Sequence, residues 1–314
     1  MHLHGIHHIS CITGDARRNV DFYTRVLGLR LVAKTVNQDD PYVYHLFYAD
    51  DGAHPGADLT FFEYPHAVPG RAGAGMVHRI VWRVADDDAL AFWATRLADE
   101  GHEAVRAEGE LRFTDPEGLG LALVVDASPD APLVARHPEI PDDVALLGFA
   151  GVRAYGARRD HTARLLEDVL GASATGDGTW TLAGSRSGWI AYDPPPAERG
   201  RPSAGTVHHV AWATTAAEHP AWHARLADAG VPSTPIIDRY YFHSIYFREP
   251  SGVLFELADD APGFTRDLPL EALGTRLVLP PWLEPRRAEI EARLTPLPDP
   301  RATRRASARD RTGG

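Results

Sequence analysis

Two stretches of the chain carry apolar residues at the three- and four-residue spacing of an amphipathic helix. The first starts near Asp15 and closes on Val26-Leu27-Gly28, and the second starts near Asp160 and closes on Val169-Leu170-Gly171. Asp15 is a candidate N-cap, and the two glycines are candidate C-caps. The shared ending predicts two helices in equivalent positions of a repeated unit.

Apolar stretches between positions 207 and 257 predict one helix surrounded by strands. The turn Pro250-Ser251-Gly252 separates the last two strands. The predicted elements, in order, are a strand at Val207–Ala213, a helix from about Ala216 to Ala229, and strands near Thr234–Ile237, Ser244–Phe247 and Val253–Leu257.

Three segments of this unit also occur earlier in the chain, in the same order and at an offset of about 130 residues. Ordered matches at a fixed offset indicate an internal repeat. The matching segments are Val77–Trp82 with Val207–Trp212, Arg96–Gly101 with Arg225–Gly230, and Phe113–Gly118 with Phe247–Gly252.

We therefore divide the chain into four units, at about residues 4–65, 75–127, 146–195 and 205–260. Each unit has the order strand, helix and three strands, and leaves one face of a small curved sheet exposed. Two units must then pair into a larger cupped sheet with the helices outside. The predicted fold is α+β, with four βαβββ modules forming paired cupped sheets and a pocket on the concave side.

The chain is expected to comprise two domains of two modules each and an extension. The N-terminal domain spans residues 1–127, a linker rich in Pro and Asp spans 128–145, and the C-terminal domain spans 146–260. In the extension, 261–314, a short helix at Glu284–Leu294 is expected to pack back onto the body. The Arg-rich tail is otherwise small and polar, which predicts disorder.

Composition narrows the function. The 314 residues carry a formal net charge of −11, which disfavours a nucleic-acid partner. The single cysteine, Cys11, permits no intrachain disulfide and is expected in the core, which fits a reducing compartment. The N-terminus does not read as a signal peptide and no apolar run has membrane-spanning length. We expect a cytoplasmic protein without a membrane partner, with homo-oligomer formation left open.

Two adjacent pairs among the 16 histidines, His7-His8 and His208-His209, open the first and fourth units. Alignment of the pairs places His8 on His209. Glu256 lies between apolar residues on the last strand of the fourth unit, where a buried carboxylate is costly unless it pairs with a cation. If units one and four share a cup, His8, His209 and Glu256 converge as the facial triad of non-haem Fe(II) oxygenases.

Units two and three provide an internal control. The alignment puts Arg79 and Val152 at the histidine position and Ala122 at the position of Glu256, while no counterpart of Glu256 is evident in unit three. These two units have lost the ligand set. One metal per chain is therefore expected, bound by the first and last units.

Three further residues have more than one interpretation. Glu63 is either a fourth metal ligand or a surface residue at the end of a strand. If the strands are regular, His7 and His208 point to the face opposite His8 and His209. They would then support the ligands or belong to the core.

These residues give the chain a resemblance to a known family. It resembles the ring-cleaving dioxygenases of the vicinal oxygen chelate superfamily, and in particular the branch that includes hydroquinone 1,2-dioxygenases, over about residues 3–295. The opening His7–Ser10, the strand Val207–His209 and the pair Phe255-Glu256 resemble the ligand strands of that branch. Asp238–Pro250 resembles a segment specific to the branch, whereas the repeat fold is common to the superfamily.

The resemblance implies Fe(II), or alternatively Mn(II), with a small aromatic substrate and O2 as partners. The implied site residues are three metal ligands, His8, His209 and Glu256, two catalytic residues, Arg239 and Tyr246, and three pocket residues, His7, Ser10 and His208. His243, where the chain departs from the branch, is a candidate acid–base residue or an exposed side chain. Arg239 could instead form a surface ion pair and Tyr246 could be core.

Two other functions remain open. A glyoxalase-like lyase or isomerase using Zn or Ni would want a fourth protein ligand, for which Glu63 is the candidate. A drug-binding protein of the bleomycin-resistance type would need no metal triad and usually has two units. Metal content separates the binding protein from both enzymes.

Overall fold

The computed structural model describes residues 1–176, 178–297 and 300. Within these residues, sixteen strands form two curled sheets of eight strands each, which confirms the predicted α+β fold of four modules. The first eight strands are β1 (Ile6–Thr13), β2 (Arg30–Asn37), β3 (Asp40–Ala49), β4 (Asp58–Glu63), β5 (Val77–Val84), β6 (Ala104–Ala107), β7 (Glu110–Thr114) and β8 (Gly120–Val125). The others are β9 (Phe149–Tyr155), β10 (Ser173–Gly176), β11 (Thr179–Ala183), β12 (Ser187–Asp193), β13 (Thr206–Ala213), β14 (Ile237–Asp238), β15 (His243–Arg248) and β16 (Leu254–Ala258).

Each sheet combines a module from each half of the sequence. The first sheet has the order β14-β15-β16-β13-β1-β4-β3-β2, so the fourth module joins the first through the antiparallel pair of β13 and β1. The second sheet, β10-β11-β12-β9-β5-β8-β7-β6, joins the third module to the second. The first and last units therefore share one cup, which is the arrangement that the candidate triad requires.

Helices cover the convex faces of both sheets. The helical segments are α1 (Ala16–Asp21), α2 (Asp87–Asp99), α3 (Arg159–Arg164), α4 (His219–Asp228) and α5 (Arg287–Glu291), and α1 and α3 continue as π-helical turns at Phe22–Val26 and Leu165–Val169. Trp93 on α2 and Trp222 on α4 are fully buried, as are Trp82 and Trp212 on the strands β5 and β13. None of the described helices combines the length and apolar character that a membrane crossing needs.

The predicted helix ends are partly confirmed. The Asp15 side chain accepts a hydrogen bond from the Arg18 backbone N–H, as an N-cap does. The second helix was expected to start near Asp160, and α3 begins at Arg159. After the π-helical turns, Gly28 and Gly171 adopt φ values of +76° and +75°, the left-handed conformation that favours glycine at a helix end.

Several element bounds differ from the sequence prediction. The fourth-module helix begins at His219 rather than near Ala216, with proline in its first turn. The predicted strand Thr234–Ile237 forms only at Ile237–Asp238. In the extension, a 3-10 turn at Glu284–Arg286 precedes the short α5, whose Ile290 is buried. The Arg-rich tail, 301–314, lies outside the described residues.

Two matching turns tie neighbouring modules together. The carboxylates of Asp115 and Glu249 each accept backbone N–H groups two and four residues downstream, within the repeated turn that the sequence indicated. Each carboxylate also reaches another module. The Tyr23 hydroxyl donates to Asp115 at 3.1 Å and the Thr162 hydroxyl donates to Glu249 at 2.7 Å.

Candidate metal centre

Three neighbouring strands bring the predicted ligands together on the concave face of the first sheet. His8 lies on β1, His209 on β13 and Glu256 on β16, and all three are buried. Glu256 Oε2 lies 3.2 Å from His8 Nε2 and 2.9 Å from His209 Nε2. The two Nε2 atoms are 3.3 Å apart. Among the described residues, this is the one group of three or more His, Cys, Asp or Glu side chains close enough to hold a metal.

The spacing of these three atoms fits a metal ion. Ligands on one face of an octahedron, each about 2.1 Å from the metal, lie about 3.0 Å from one another. Glu256 Oε2 contacts the two imidazole Nε2 atoms and no other donor among the described residues, whereas Oε1 accepts from the Ser244 hydroxyl. A buried carboxylate oxygen of this kind requires a cation. The donor set, two imidazoles and one carboxylate, is that of the non-haem Fe(II) facial triad.

Opposing charges hold the triad together. Burial favours the neutral carboxyl of Glu256, but His8 and His209 outweigh it and hold the pKa of Glu256 well below its usual range. Burial also disfavours charge on His8, but Glu256 raises the His8 pKa above its ordinary value. The pKa of His209 is lowered by burial despite the carboxylate. A divalent metal bound at Nε2 needs the neutral imidazole, so metal binding and protonation compete at these rings.

β-Bulges change the direction of the two paired histidines. On β1, Ile6 pairs with Trp212 and His8 with Ala211, so His7 is the extra residue of a bulge. On β13, the skipped residue is His208. A bulge interrupts the alternation of side chains between the two faces. The expectation that His7 and His208 face away from the ligands was therefore wrong.

Each bulge histidine contacts the neighbouring ligand. His7 Nδ1 lies 2.9 Å from His8 Nδ1, and His208 Nδ1 lies 2.7 Å from His209 Nδ1. Because a metal bound at Nε2 leaves the proton on Nδ1, the ligand rings can donate to the Nδ1 lone pairs of their neighbours. Such contacts fix the orientation of metal-binding imidazoles.

The second sheet has none of the three ligands. Strand register confirms Arg79 as the counterpart of His209 and Ala122 as that of Glu256. The assignment of Val152 to the histidine position was wrong by one residue, because Gly151 pairs with Val81 as His8 pairs with Ala211. A Cβ atom on Gly151 would lie 2.1 Å from a ring carbon of Trp189, so this indole occupies the space of the missing ligand.

Glu63 is not a fourth ligand. It is buried rather than at the surface, where it accepts hydrogen bonds from the Ala16 backbone N–H and the Thr295 hydroxyl. Register identifies a different counterpart of Glu256 in the first module. Glu256 pairs with the residue two positions after His209, and the residue two positions after His8 pairs with Thr60. A hydroxyl therefore stands where a second carboxylate would complete a four-ligand set.

A cavity of about 430 Å³ opens beside the triad. About half of its lining residues are aromatic or aliphatic, and the other half are polar. The lining includes His8, Ser10, His45, Phe47, Phe62, His208, His209, Arg239, Tyr240, Tyr241, Phe242, Tyr246 and Leu254. Its size and composition suit a small aromatic ligand.

Arg239 and Tyr246 border this cavity together. Arg239 Nε donates to the Tyr246 hydroxyl at 3.3 Å, and its guanidinium carbon lies 5.3 Å from the centre of the phenol ring. Arg239 also pairs with Asp39, at the tip of the β2–β3 hairpin, at 3.2 Å. The Tyr246 ring meets the His209 ring edge-on.

The other predicted site residues lie in three different places. Ser10 and His208 border the same cavity, whereas His7 borders a neighbouring one of about 580 Å³. His243 borders neither of these cavities. It shares a strand face with Ile245 and Phe247, away from Ser244 and Tyr246, and its Nδ1 lies 3.1 Å from Asp259 Oδ2. This position argues against an acid–base role for His243.

Sequence reasoning missed two polar groups at the site. Ser244, which orients the carboxylate of Glu256, could have been found because it alternates with Tyr246 on one strand. His45 is the lone imidazole among the apolar and aromatic residues around it on β3. The repeat gave no signal for His45, because the alignment rested on the first and last strands of each module.

Comparison with known proteins agrees with this geometry. The family model of the Glyoxalase/Bleomycin resistance protein/Dioxygenase superfamily matches residues 5–123 and 148–257. The chain belongs to this superfamily, as the resemblance of its ligand strands implied. The superfamily contains metal-dependent enzymes as well as drug-binding proteins, so relatives of the whole chain are needed to choose between them.

Relatives that span almost the whole chain bear the names of dioxygenases. The chain is 40% identical to a Bacillus subtilis (strain 168) protein with the provisional name ring-cleaving dioxygenase MhqA, over 95% of this chain and 100% of the relative. It is 30% identical to the chlorohydroquinone/hydroquinone 1,2-dioxygenase of Sphingobium indicum, over 91% of this chain and 94% of that protein. The chain is thus an enzyme of the dioxygenase group.

Solved structures support the same placement. A crystal structure from Bacillus subtilis subsp. subtilis str. 168, provisionally described as a dioxygenase, has a TM-score of 0.87 and 38% identity over 94% of this chain and 98% of its own. Glyoxalase I from Zea mays has a TM-score of 0.59 at 15% identity, over 82% of this chain and 92% of its own. At that identity the likeness shows a shared fold alone.

Proposed function

We propose that this enzyme is an Fe(II)-dependent dioxygenase that opens the ring of a hydroquinone-type, or alternatively catechol-type, aromatic with O2. The observation that carries the proposal is the buried triad of His8, His209 and Glu256 with Thr60 in place of a second carboxylate. Three protein ligands leave coordination positions for a substrate oxygen and O2. A glyoxalase-like reaction would need a fourth ligand that the described residues around the triad do not supply.

Iron bound at this site would supply a path for electrons from the aromatic ring to O2. Mn(II) accepts the same ligands and is the alternative metal. The side chains bind the ring, orient it and keep bulk water away. Phe47, Phe62 and Phe242 supply flat apolar surface along the cavity wall.

Tyr246 and Arg239 are proposed to act on the substrate oxygens. Burial, followed by the Glu256 carboxylate, raises the pKa of Tyr246, so its phenol keeps a proton to donate at neutral pH. Burial opposes the charge on Arg239, but Tyr246 and Asp39 outweigh it and raise the Arg239 pKa, so the guanidinium stays cationic. Fixed donors beside the reacting oxygens stabilise negative charge as it develops.

The test is oxygen uptake by protein purified without oxygen and reconstituted with Fe(II), on hydroquinone, catechol and their substituted forms. We expect iron-dependent uptake of about one O2 per aromatic with loss of the ring absorbance, and none in His209→Ala. Stoichiometric metal without uptake on any aromatic would contradict the dioxygenase and favour a lyase or isomerase. Failure to bind metal would rule out the triad.

A further inference from the structure

His45, on β3, is a polar side chain in the cavity to which the proposed reaction gives no role. Its imidazole lies between two phenyl rings, with ring centres 4.0 Å from Phe47 and 4.1 Å from Phe62. These contacts fix the plane of the ring. A partly buried imidazole held this firmly in an aromatic wall is suited to making one directed hydrogen bond.

Two buried hydroxyls hold the other side of the His45 ring. His45 Nε2 lies 2.9 Å from Thr60 Oγ1, and Thr60 Oγ1 lies 2.7 Å from Ser10 Oγ. Ser10 and Thr60 are fully buried. The three side chains form one hydrogen-bonded chain across the neighbouring strands β1, β4 and β3.

The direction of this chain follows from the need to use every buried hydroxyl hydrogen. Thr60 is the one hydrogen-bond partner of the Ser10 side chain among the described residues, so Ser10 must donate to it. Thr60 then donates to His45 Nε2, which acts as the acceptor. In a neutral imidazole with Nε2 as acceptor, the proton lies on Nδ1.

The Nδ1–H group is therefore a donor without a partner among the described residues of the cavity wall. Burial, with His8 and His209 as further causes, lowers the pKa of His45 well below its usual value, so the ring stays neutral. Besides the histidines, six ionisable side chains border this cavity: Asp39, Tyr64, Arg239, Tyr240, Tyr241 and Tyr246.

His45 stands on the flank of the sheet opposite Tyr246. The triad occupies the central strands β16, β13 and β1, Tyr246 lies one strand beyond them, and β3 lies two strands beyond β1 on the other side. Two strand spacings are roughly 10 Å. His45 therefore faces the half of the cavity that lies away from the metal donors.

We infer that His45 donates from Nδ1 to a substrate oxygen on the side of the ring opposite the metal, and so selects 1,4-dihydroxylated aromatics over 1,2-dihydroxylated ones. The inference rests on the proposed function, whose substrate it narrows. In a catechol, both oxygens lie next to each other at the metal, and His45 Nδ1–H is left without an acceptor. In a hydroquinone, the remote hydroxyl can accept from it.

The experiment compares hydroquinone with phenol, which lacks only the remote hydroxyl, and uses catechol as a third ligand. Each is titrated calorimetrically into the Fe(II)-loaded enzyme without oxygen. We expect His45→Phe to weaken hydroquinone binding roughly 10-fold and to change phenol or catechol binding less than about twofold. His45→Asn, whose amide nitrogen can replace Nδ1, should recover part of the loss.

His54→Phe is the matched control, because His54 borders the neighbouring cavity. It should alter none of the three affinities, and all variants should keep the metal content of the wild type. Equal weakening of hydroquinone and phenol in His45→Phe, or no weakening, would overturn the inference. So would a wild-type enzyme that binds hydroquinone no better than phenol. The proposed function fails separately, through absent oxygen uptake by an enzyme that still binds hydroquinone.

Discussion

The imidazole of His208 lies directly against that of the candidate ligand His209, with 2.7 Å between their Nδ1 atoms. The contact exists because His208 is the extra residue of a β-bulge, which turns both histidines toward the same face. The second sheet keeps this bulge without a metal site. There, His78 is the bulge residue and its Nε2 lies 2.8 Å from Asp193.

Removal of the His208 ring should therefore weaken metal binding. We expect His208→Ala to lower the affinity for Fe(II) by about 10- to 100-fold, because outer contacts of this kind orient the ligand ring and raise its basicity. Competition with a chelator measures the affinity. His78→Ala, the equivalent change in the second sheet, should leave it unchanged, and a similar loss in both variants would argue against a local effect.

Metal removal should lower the stability of the fold only while the triad is intact. At a free metal concentration 100 times the dissociation constant, binding adds about 2.7 kcal/mol to the free energy of unfolding. Chelation should therefore lower the melting temperature of the wild type but not that of Glu256→Gln. Glu63→Gln is the matched control and should respond as the wild type does. If chelation lowered the melting temperature of Glu256→Gln as much as that of the wild type, Glu256 would not be a metal ligand.

The repeat in the sequence was enough to predict the pairing of modules one and four and the convergence of His8, His209 and Glu256. It succeeded because His8 and His209 occupy equivalent strands, and because a lone carboxylate such as Glu256 is costly inside a sheet. The repeat assigned Val152 instead of Gly151 as the counterpart of His8, because a β-bulge adds one residue to the strand and shifts the alignment. His45 was invisible for another reason, because its importance depends on contacts across β1, β4 and β3 that local pattern does not encode.

Arg239 should affect turnover without affecting the metal. The guanidinium borders the cavity and contacts Tyr246, and it is not among the triad atoms. We expect Arg239→Ala to lower kcat by about 100-fold or more, as loss of a charged donor beside a reacting oxygen does in other enzymes, with iron content intact. Steady-state oxygen uptake and metal analysis measure the two effects. His243→Gln should stay within about twofold of the wild type, and loss of iron in Arg239→Ala would contradict a purely catalytic role.

Asp115 should make the stability of the fold fall as the pH rises through the mildly acidic range. Burial raises the pKa of Asp115 from 3.8 to about 6, although hydrogen bonds from the backbone N–H groups of the turn oppose this increase. The native state then holds this proton more tightly than the unfolded chain, so the stability it contributes is complete below the unfolded pKa and is lost as the pH rises through the native one. Between pH 5 and pH 7 the loss of stability is about 1 kcal/mol.

The variant Asp115→Asn keeps an oxygen acceptor in the turn and removes the titration. Denaturant unfolding at both pH values should show the variant gaining about 1 kcal/mol relative to the wild type, whereas parallel pH profiles would mean that Asp115 titrates alike in the native and unfolded states.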